Sequence, residues 1–260
     1  MGLHGDVYNL MEAKYFGEEM QEKDEIERLP RLLKNVKVFV DVGAGLGQYA
    51  FFANTILKGA KIFCIEADPM RFPQLKELAS EWEKTSANQI SVVHAAVAEK
   101  NGKVDFLMTN TNISGGLFVN PGEDLGSKPI ARTKVEVDCV SLDSLFKESK
   151  PDFVKIDVEG GEYSVLLGAR GILREGKCRF FVEVHPWGDE RARKQPADVF
   201  RLLRQFGYDF RRVHRHWLFE RSGGPLKRYI KNTIIVFIME HLWLKATLKR
   251  CILALTSNRR

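Results

Sequence analysis

The sequence predicts an α/β fold, a mostly parallel sheet wrapped by helices on both faces. Three observations carry this. Short apolar, β-branched runs at residues 36–40, 61–65 and 90–93 alternate with helical periods at 48–58 and 69–80. A glycine-rich turn, Val42 to Gly47, joins the first run directly to the helix after it. Two later apolar runs, 153–157 and 179–184, each end in a cluster of acidic and histidine side chains. Strand, helix, strand at this spacing is the pattern of parallel βαβ units, and polar clusters at strand ends fall where such sheets bind ligands.

The elements follow in order. Residues 8–34 read as helical, with Pro30 marking a break or a fresh start. In the helix at 69–80, Phe72, Leu75 and Leu78 share one side, and Asp68 before Pro69 suits its N-terminus as a cap. Residues 103–108 and 133–140 are strand candidates flanking a polar, glycine-containing loop at 109–130, a candidate substrate lid that includes Asn112, Ser114, Gly115 and Gly116. A short helix at 141–147 opens on a serine. Helices are expected at 162–173 and 197–206, and one hairpin arm within 210–220. Ser222-Gly-Gly-Pro225 is the clearest linker, so the chain divides into a helical cap (1–34), a main domain (35–221) and a C-terminal tail (222–260).

Composition narrows the class. With 260 residues, 44% of them hydrophobic, the chain can bury a full-sized core, which excludes intrinsic disorder. Four cysteines, Cys64, Cys139, Cys178 and Cys251, lie too far apart for a disulfide scaffold or a zinc-ligand pair, and read as reduced thiols of a cytosolic protein. Met1 to Leu10 lacks a basic segment followed by an apolar one, so no secretory signal is expected. The longest apolar stretch, 233–239, is far short of the roughly 20 residues that span a bilayer. Charge is uneven: residues 1–190 hold 23 Lys+Arg against 30 Asp+Glu, whereas 191–260 hold 17 against 4. The basic end implies an anionic partner.

The run Asp41-Val-Gly43-Ala44-Gly45-Leu-Gly47 lies between a buried strand and a helix, where glycine permits positive φ and close backbone approach to a ligand. Gln48 stands where a dinucleotide fingerprint wants glycine or alanine, which disfavours a nicotinamide-dependent dehydrogenase. The spacing suits S-adenosylmethionine, with Asp41 organising the loop near the amino acid end. Glu66, at the end of the second strand, is placed to accept the ribose hydroxyls. Gly43, Ala44, Gly45, Gly47, Glu66 and the adjacent Ala67 therefore form the expected cofactor cradle together with Asp41.

The chemistry falls to the later strand ends. Asp157 and Glu159 follow the strand at 153–157 and face the same crevice, while Glu162 in the first helical turn can complement the helix dipole or join the site. Alternation puts Glu183 and His185 on one face, a buried carboxylate beside a general base that takes a hydroxyl proton. The alternative is a structural His185–Glu183 hydrogen bond. Asp157, Glu159, Glu183 and His185 also have the donor types of a divalent-cation site, but no metal is assigned. The Asp/Asn-Pro-Pro-aromatic motif of many base and amide N-methylating enzymes is absent, which favours hydroxyl chemistry.

VDVGAGLGQY (40–49), CIEADP (64–69), VSLDSL (140–145), VKIDVEGGEYSVLLGA (154–169) and FVEVH (181–185) together resemble the FkbM-type S-adenosylmethionine-dependent methyltransferases over about 35–220. The resemblance implies a Rossmann-like class I methyltransferase fold with a seven-stranded sheet whose last strand is antiparallel. It also implies O-methylation of sugar or polyketide hydroxyls, with cofactor contacts at Asp41, Gly43, Gly45 and Glu66. Asp157 falls at the reaction centre, with Glu159, Glu162, Glu183 and His185 around it. Leu46 and Gly161 depart from the usual Asn and Ala. A non-catalytic binding protein on the same fold is the alternative reading.

Beyond the resemblance, residues 226–256 repeat apolar side chains at helical spacing, with Trp243 between them and Lys227, Arg228, Lys231, Lys245, Lys249 and Arg250 alongside. That pattern describes an interfacial helix on an anionic membrane. Packing on the body or a homodimer contact are the alternatives. Nucleic acid is a poor partner, because no aromatic stacking platform accompanies the arginines. The expected acceptor is a small molecule or a glycan, lipid-linked if the tail docks on the inner membrane surface.

Overall fold

A computed structural model of the chain describes residues 23–109, 132–185 and 196–221. Its main sheet has seven strands: β1 (Val38–Val42), β2 (Lys61–Glu66), β3 (Gln89–His94), β7 (Phe153–Ile156), β8 (Arg179–Glu183), β9 (Tyr208–Val213) and β10 (His216–Arg221). Their order is β3-β2-β1-β7-β8-β10-β9. All neighbours run parallel except β10, which is antiparallel to both β8 and β9. The expected α/β fold, with its last strand reversed, is the one observed. The strands at 103–108 and 133–140 belong to a second sheet, β4 (Ala96–Val97), β6 (Arg132–Val140) and β5 (Gly102–Thr109) in that order.

The central strands read as continuous apolar runs because both faces are covered. Phe39, Phe153 and Phe181 pack on one face against Tyr49, Ala50 and Ala53 of the helix Gln48–Ile56 and against Leu75 and Trp82 of the helix Phe72–Lys84. Val40, Val154, Ile156, Phe180 and Val182 pack on the other against the helices Glu162–Leu167, Arg170–Glu175 and Pro196–Gln205. The order of strands reverses about β1, and the carboxyl ends of β1, β2 and β7 open on one crevice.

Three expectations change. The helix at 162–173 is two short helices that meet at Gly168 and Ala169, and Gly168 lies so close to the backbone of Ala98 that a Cβ would sit 2.1 Å from its carbonyl oxygen. Asp143 starts the second helix by accepting from the amides of Gly171 (2.7 Å) and Ile172 (3.0 Å). The helix expected from Pro69 begins at Phe72, since Asp68 first closes a turn by accepting from the Met70 amide at 2.8 Å. The single arm within 210–220 is a full hairpin, β9–β10, turning through His214 at φ 55°. No glycine or asparagine announces that turn.

Cys64, Cys139 and Cys178 are buried free thiols. Among the described residues no helix is long and apolar enough to cross a membrane. The lid loop, Trp187, Arg191, Arg193, Cys251, the 226–256 tail and the first part of the 8–34 helical segment lie outside the described residues.

Candidate active site

The glycine turn is built by backbone geometry. Gly43, Gly45 and Gly47 have φ of 72°, 58° and 83°. The amides of Gly43 and Ala44 both donate to the Ile65 carbonyl, at 2.9 and 3.1 Å, tying the turn to β2. Gly43 is crowded as well: a Cβ there would stand 1.9 Å from the carbonyl oxygen of Asp157. The turn after β1 and the segment after β7 therefore touch backbone to backbone.

Glu66 closes the turn from the other side. Its carboxylate accepts from the Gly45 amide at 2.6 Å and from the Asp68 amide at 2.8 Å. Burial raises its pKa against those two bonds. The remaining lone pairs of the two oxygens are available to a ligand. Ala44 is buried and turns its methyl into the core, so it offers only backbone, and Ala67 packs beside the second sheet.

Asp41 lies below the turn with no exposed surface. Its register neighbour on β7 is Lys155, whose Nζ stands 3.3 Å from Asp41 Oδ1 and 3.5 Å from Asp157 Oδ2 and donates to the Gly43 carbonyl at 3.3 Å. The ammonium also lies over the Tyr49 ring, 4.8 Å from its centroid. One buried lysine thus ties β1, the glycine turn and Asp157 together. Sequence reasoning passed over Lys155, although a lysine inside the otherwise apolar Phe153–Ile156 strand was the available signal.

Around Asp157 the acidic and histidine groups converge. His185 Nδ1 lies 2.6 Å from Glu162 Oε1, and its Nε2 lies 3.3 Å from Glu159 Oε2 and 3.9 Å from Asp157 Oδ1. Burial alone would lower the imidazole pKa, but the Glu162 bond and the charges of Glu162, Asp157 and Glu159 carry it up to about 9. Burial, helped by Asp157, Glu183 and Glu162, raises Glu159 to about 7 against the pull of His185. Asp157 goes the other way: burial opposes its charge, yet Lys155, His216 and His185 hold its pKa below the usual carboxylate value. Glu159 sits at φ 53° and is followed by Gly160 at φ 105°, a left-handed pair that lets the Gly160 amide donate to Glu162 at 2.9 Å.

The alternative, a structural His185–Glu183 hydrogen bond, is not the one observed. Strand β8 ends at Glu183, so its two-residue alternation does not carry on to His185. Glu162 takes that partnership, while Glu183 Oε1 pairs with Arg215 Nη2 at 2.8 Å. Glu183 remains beside the site, opposite His216 across the β8–β10 ladder. His216 is fully buried, stacked on Phe181 at 4.5 Å between centroids, with Nδ1 2.8 Å from Glu25 Oε2. Glu25 also accepts from Tyr49 Oη and from the amides of Arg215 and His216. Neither Glu25 nor His216 carried a motif signal; only the fold brings the N-terminal helix Lys23–Ile26 against the last hairpin.

A parallel sheet with a glycine turn after β1, an acidic residue ending β2, and a carboxylate–imidazole cluster after β7 and β8 define a Rossmann-like methyltransferase. The Methyltransferase FkbM domain matches residues 41–210, and the chain belongs to that family. It is 26% identical over 185 residues to the hexuronic acid methyltransferase AglP of Haloferax volcanii, covering 70% of this chain and 67% of that protein. Among solved structures, the FkbM methyltransferase of Methylobacillus flagellatus aligns with 70% of this chain and 43% of its own, at 20% identity and a TM-score of 0.49. This chain therefore spans less than half of that protein. The precorrin-6y C5,15-methyltransferase of Geobacter metallireducens aligns with 79% of this chain and 88% of its own, at 13% identity and a TM-score of 0.45.

Proposed function

We propose that this chain is an S-adenosylmethionine-dependent O-methyltransferase whose acceptor is a hydroxyl of a sugar or glycan. The observation that carries this reading is the contact of Gly43 with the Asp157 carbonyl, which sets the cofactor turn and the reacting cluster side by side. The similarity to a hexuronic acid methyltransferase supports the acceptor class.

The residues present fit the cofactor. Glu66, oriented by two amides, presents its open lone pairs to the ribose hydroxyls. Ala44, Gly45, Gly47 and Ala67 shape the rim of that cradle, and Asp41 acts beneath it through Lys155. When bound, S-adenosylmethionine supplies an electrophilic methyl group on its sulfonium. The protein positions the hydroxyl and removes its proton. Glu159, with a pKa of about 7 and a side chain about one-third exposed, is the acceptor of that proton at neutral pH. His185, carried to about 9, holds Glu159 and Asp157 in place as an imidazolium. Glu183, paired with Arg215 at 2.8 Å, stands beside Asp157 at the edge of this cluster.

Calorimetry with S-adenosylmethionine and transfer of a labelled methyl group to hexuronic-acid oligosaccharides test the reading. Binding by the wild type, weakened at least about tenfold in Glu66→Ala, together with labelled product, is the expected result. Absence of cofactor binding overturns the pocket. Binding without transfer to any hydroxyl acceptor favours the non-catalytic reading instead.

The basic residues at 226–256 support docking on an anionic membrane near a lipid-linked acceptor. Flotation with phosphatidylglycerol vesicles should fall in the full-length chain carrying Lys245→Glu, Lys249→Glu and Arg250→Glu. Equal flotation removes the membrane from this proposal.

A further inference from the structure

The register of the sheet brings a second set of groups into one row. β7 pairs with β8 through Ile156 and Val182, and β8 pairs with β10 through Glu183 and His216. The next position along β7 is Asp157, so Asp157, Glu183 and His216 line up across three adjacent strands at the mouth of the crevice. One donor atom from each lies within 4.8 Å of the other two. His216 Nε2 is fully buried and has no hydrogen-bond partner among the described residues; it faces Glu183 Oε2 across 3.9 Å. That gap is too long for a hydrogen bond. It matches the roughly 3 to 4.5 Å that separates two donors on one divalent ion.

We propose that Asp157, Glu183 and His216 form a divalent-cation site. Two carboxylates and one imidazole suit Mn²⁺, Mg²⁺ or Zn²⁺ and leave coordination positions open toward the crevice. The surroundings are those of a ligand histidine. Nδ1 of His216 stands 2.8 Å from Glu25 Oε2 as an ion-pair contact, neither ring nitrogen has a hydrogen-bond partner among the described residues, and Nε2 is the one turned toward Glu183. Three cations already adjoin the row, the His185 imidazolium standing 3.9 Å from Asp157 Oδ1, and none takes the inner donors in full. Arg215 engages Glu183 through Oε1, leaving Oε2 toward His216, and Lys155 stands 3.5 Å from Asp157 Oδ2. A hydroxyl oxygen of the acceptor bound to such an ion would lose its proton more readily. This goes beyond the transfer reading, because the site needs neither the cofactor nor the acceptor to fill.

The test uses the full chain, stripped with EDTA and titrated with Mn²⁺ while free ion is followed by electron paramagnetic resonance. One saturable site is expected, with nitrogen modulation from a histidine in pulsed spectra of the bound ion. Glu183→Gln and Glu25→Gln should each weaken it at least about tenfold, and His216→Gln should abolish the nitrogen signal. His185→Gln should keep the nitrogen signal of the bound ion, which separates this row from the neighbouring Asp157–Glu159–His185 group. Circular dichroism checks that each variant is folded, and Glu183→Gln serves if His216→Gln is not. The proposal is overturned by absence of saturable binding, by unchanged affinity in Glu183→Gln, or by loss of the nitrogen signal in His185→Gln. Calorimetry with S-adenosylmethionine on the same samples reads the cofactor site separately, so either reading can fail alone.

Discussion

Glu162 Oε1 lies 2.6 Å from His185 Nδ1, in a setting where both side chains are almost wholly buried. This contact decides which group near Asp157 carries a proton at neutral pH. It turns His185 from a free base into an imidazolium held among three carboxylates, with a pKa of about 9. On the function proposed above, it also leaves Glu159, raised to about 7, as the group to take a proton from an acceptor hydroxyl.

Glu162→Gln should therefore lower the His185 pKa toward the ordinary value of 6.5, by at least about one unit, since the hydrogen bond survives in weaker form and the charge does not. Titration of the imidazole resonances by NMR measures this directly. An unmoved His185 would mean that Asp157 and Glu159, not Glu162, set its charge.

Stability should decline as pH rises from about 5 to 9. A histidine raised from 6.5 to about 9 contributes stability that is complete below 6.5 and lost as pH passes through 9. A carboxyl raised from 4.5 to about 7 works in the same direction, because ionising Glu159 in the folded protein is disfavoured between those values. The histidine alone corresponds to about 3 kcal/mol at full effect. Chemical denaturation at pH 6 and pH 9.5 should show the loss in the wild type and a smaller one in His185→Gln. Equal slopes in the two proteins would assign the pH dependence elsewhere.

Gly43→Ala should cost at least about 2 kcal/mol, from a left-handed φ and from overlap with a backbone carbonyl that cannot move without shifting β7. Gly59→Ala provides the control, since its φ of 63° is similar but nothing lies within 4 Å of a Cβ there. Urea unfolding of the two variants separates crowding from backbone strain. If both lose the same stability, the contact between the turn and Asp157 is softer than its geometry implies.

The central sheet was legible because its strands bury both faces and so read as unbroken apolar runs between helical periods. The positions of Gly43, Glu66 and Asp157 were legible for a related reason: ligand residues in such folds follow strand ends, and strand ends show in the sequence. His185 was found, but the Glu162 contact that holds it was not foreseen, because alternation was carried past Glu183, where the strand stops. Glu25 and His216 stayed hidden. They lie 191 residues apart and meet only when the last hairpin turns at His214, a residue that carries no turn signal. Lys155 hid inside a strand whose period predicted an apolar side chain.

Lys155 also gives the sharpest test of how the site is held. Its ammonium is nearly the sole compensation for Asp41, a carboxylate with no exposed surface, and burial raises the Asp41 pKa while Lys155 pulls it down. Lys155→Met leaves that charge buried and alone, so it should destabilise the fold by about 3–5 kcal/mol. It also frees the Gly43 carbonyl and Asp157, so cofactor affinity should fall with stability. Asp41→Asn combined with Lys155→Met removes both charges and should recover much of the lost stability, because what a broken buried pair costs is mainly the charge left behind. The cofactor affinity should not recover to the same extent, since the bond to the Gly43 carbonyl is still missing. Urea unfolding and calorimetry on the two singles and the double read both quantities. If affinity recovers fully with stability, Lys155 serves the fold alone. If neither recovers, the pair with Asp41 is not what Lys155 contributes.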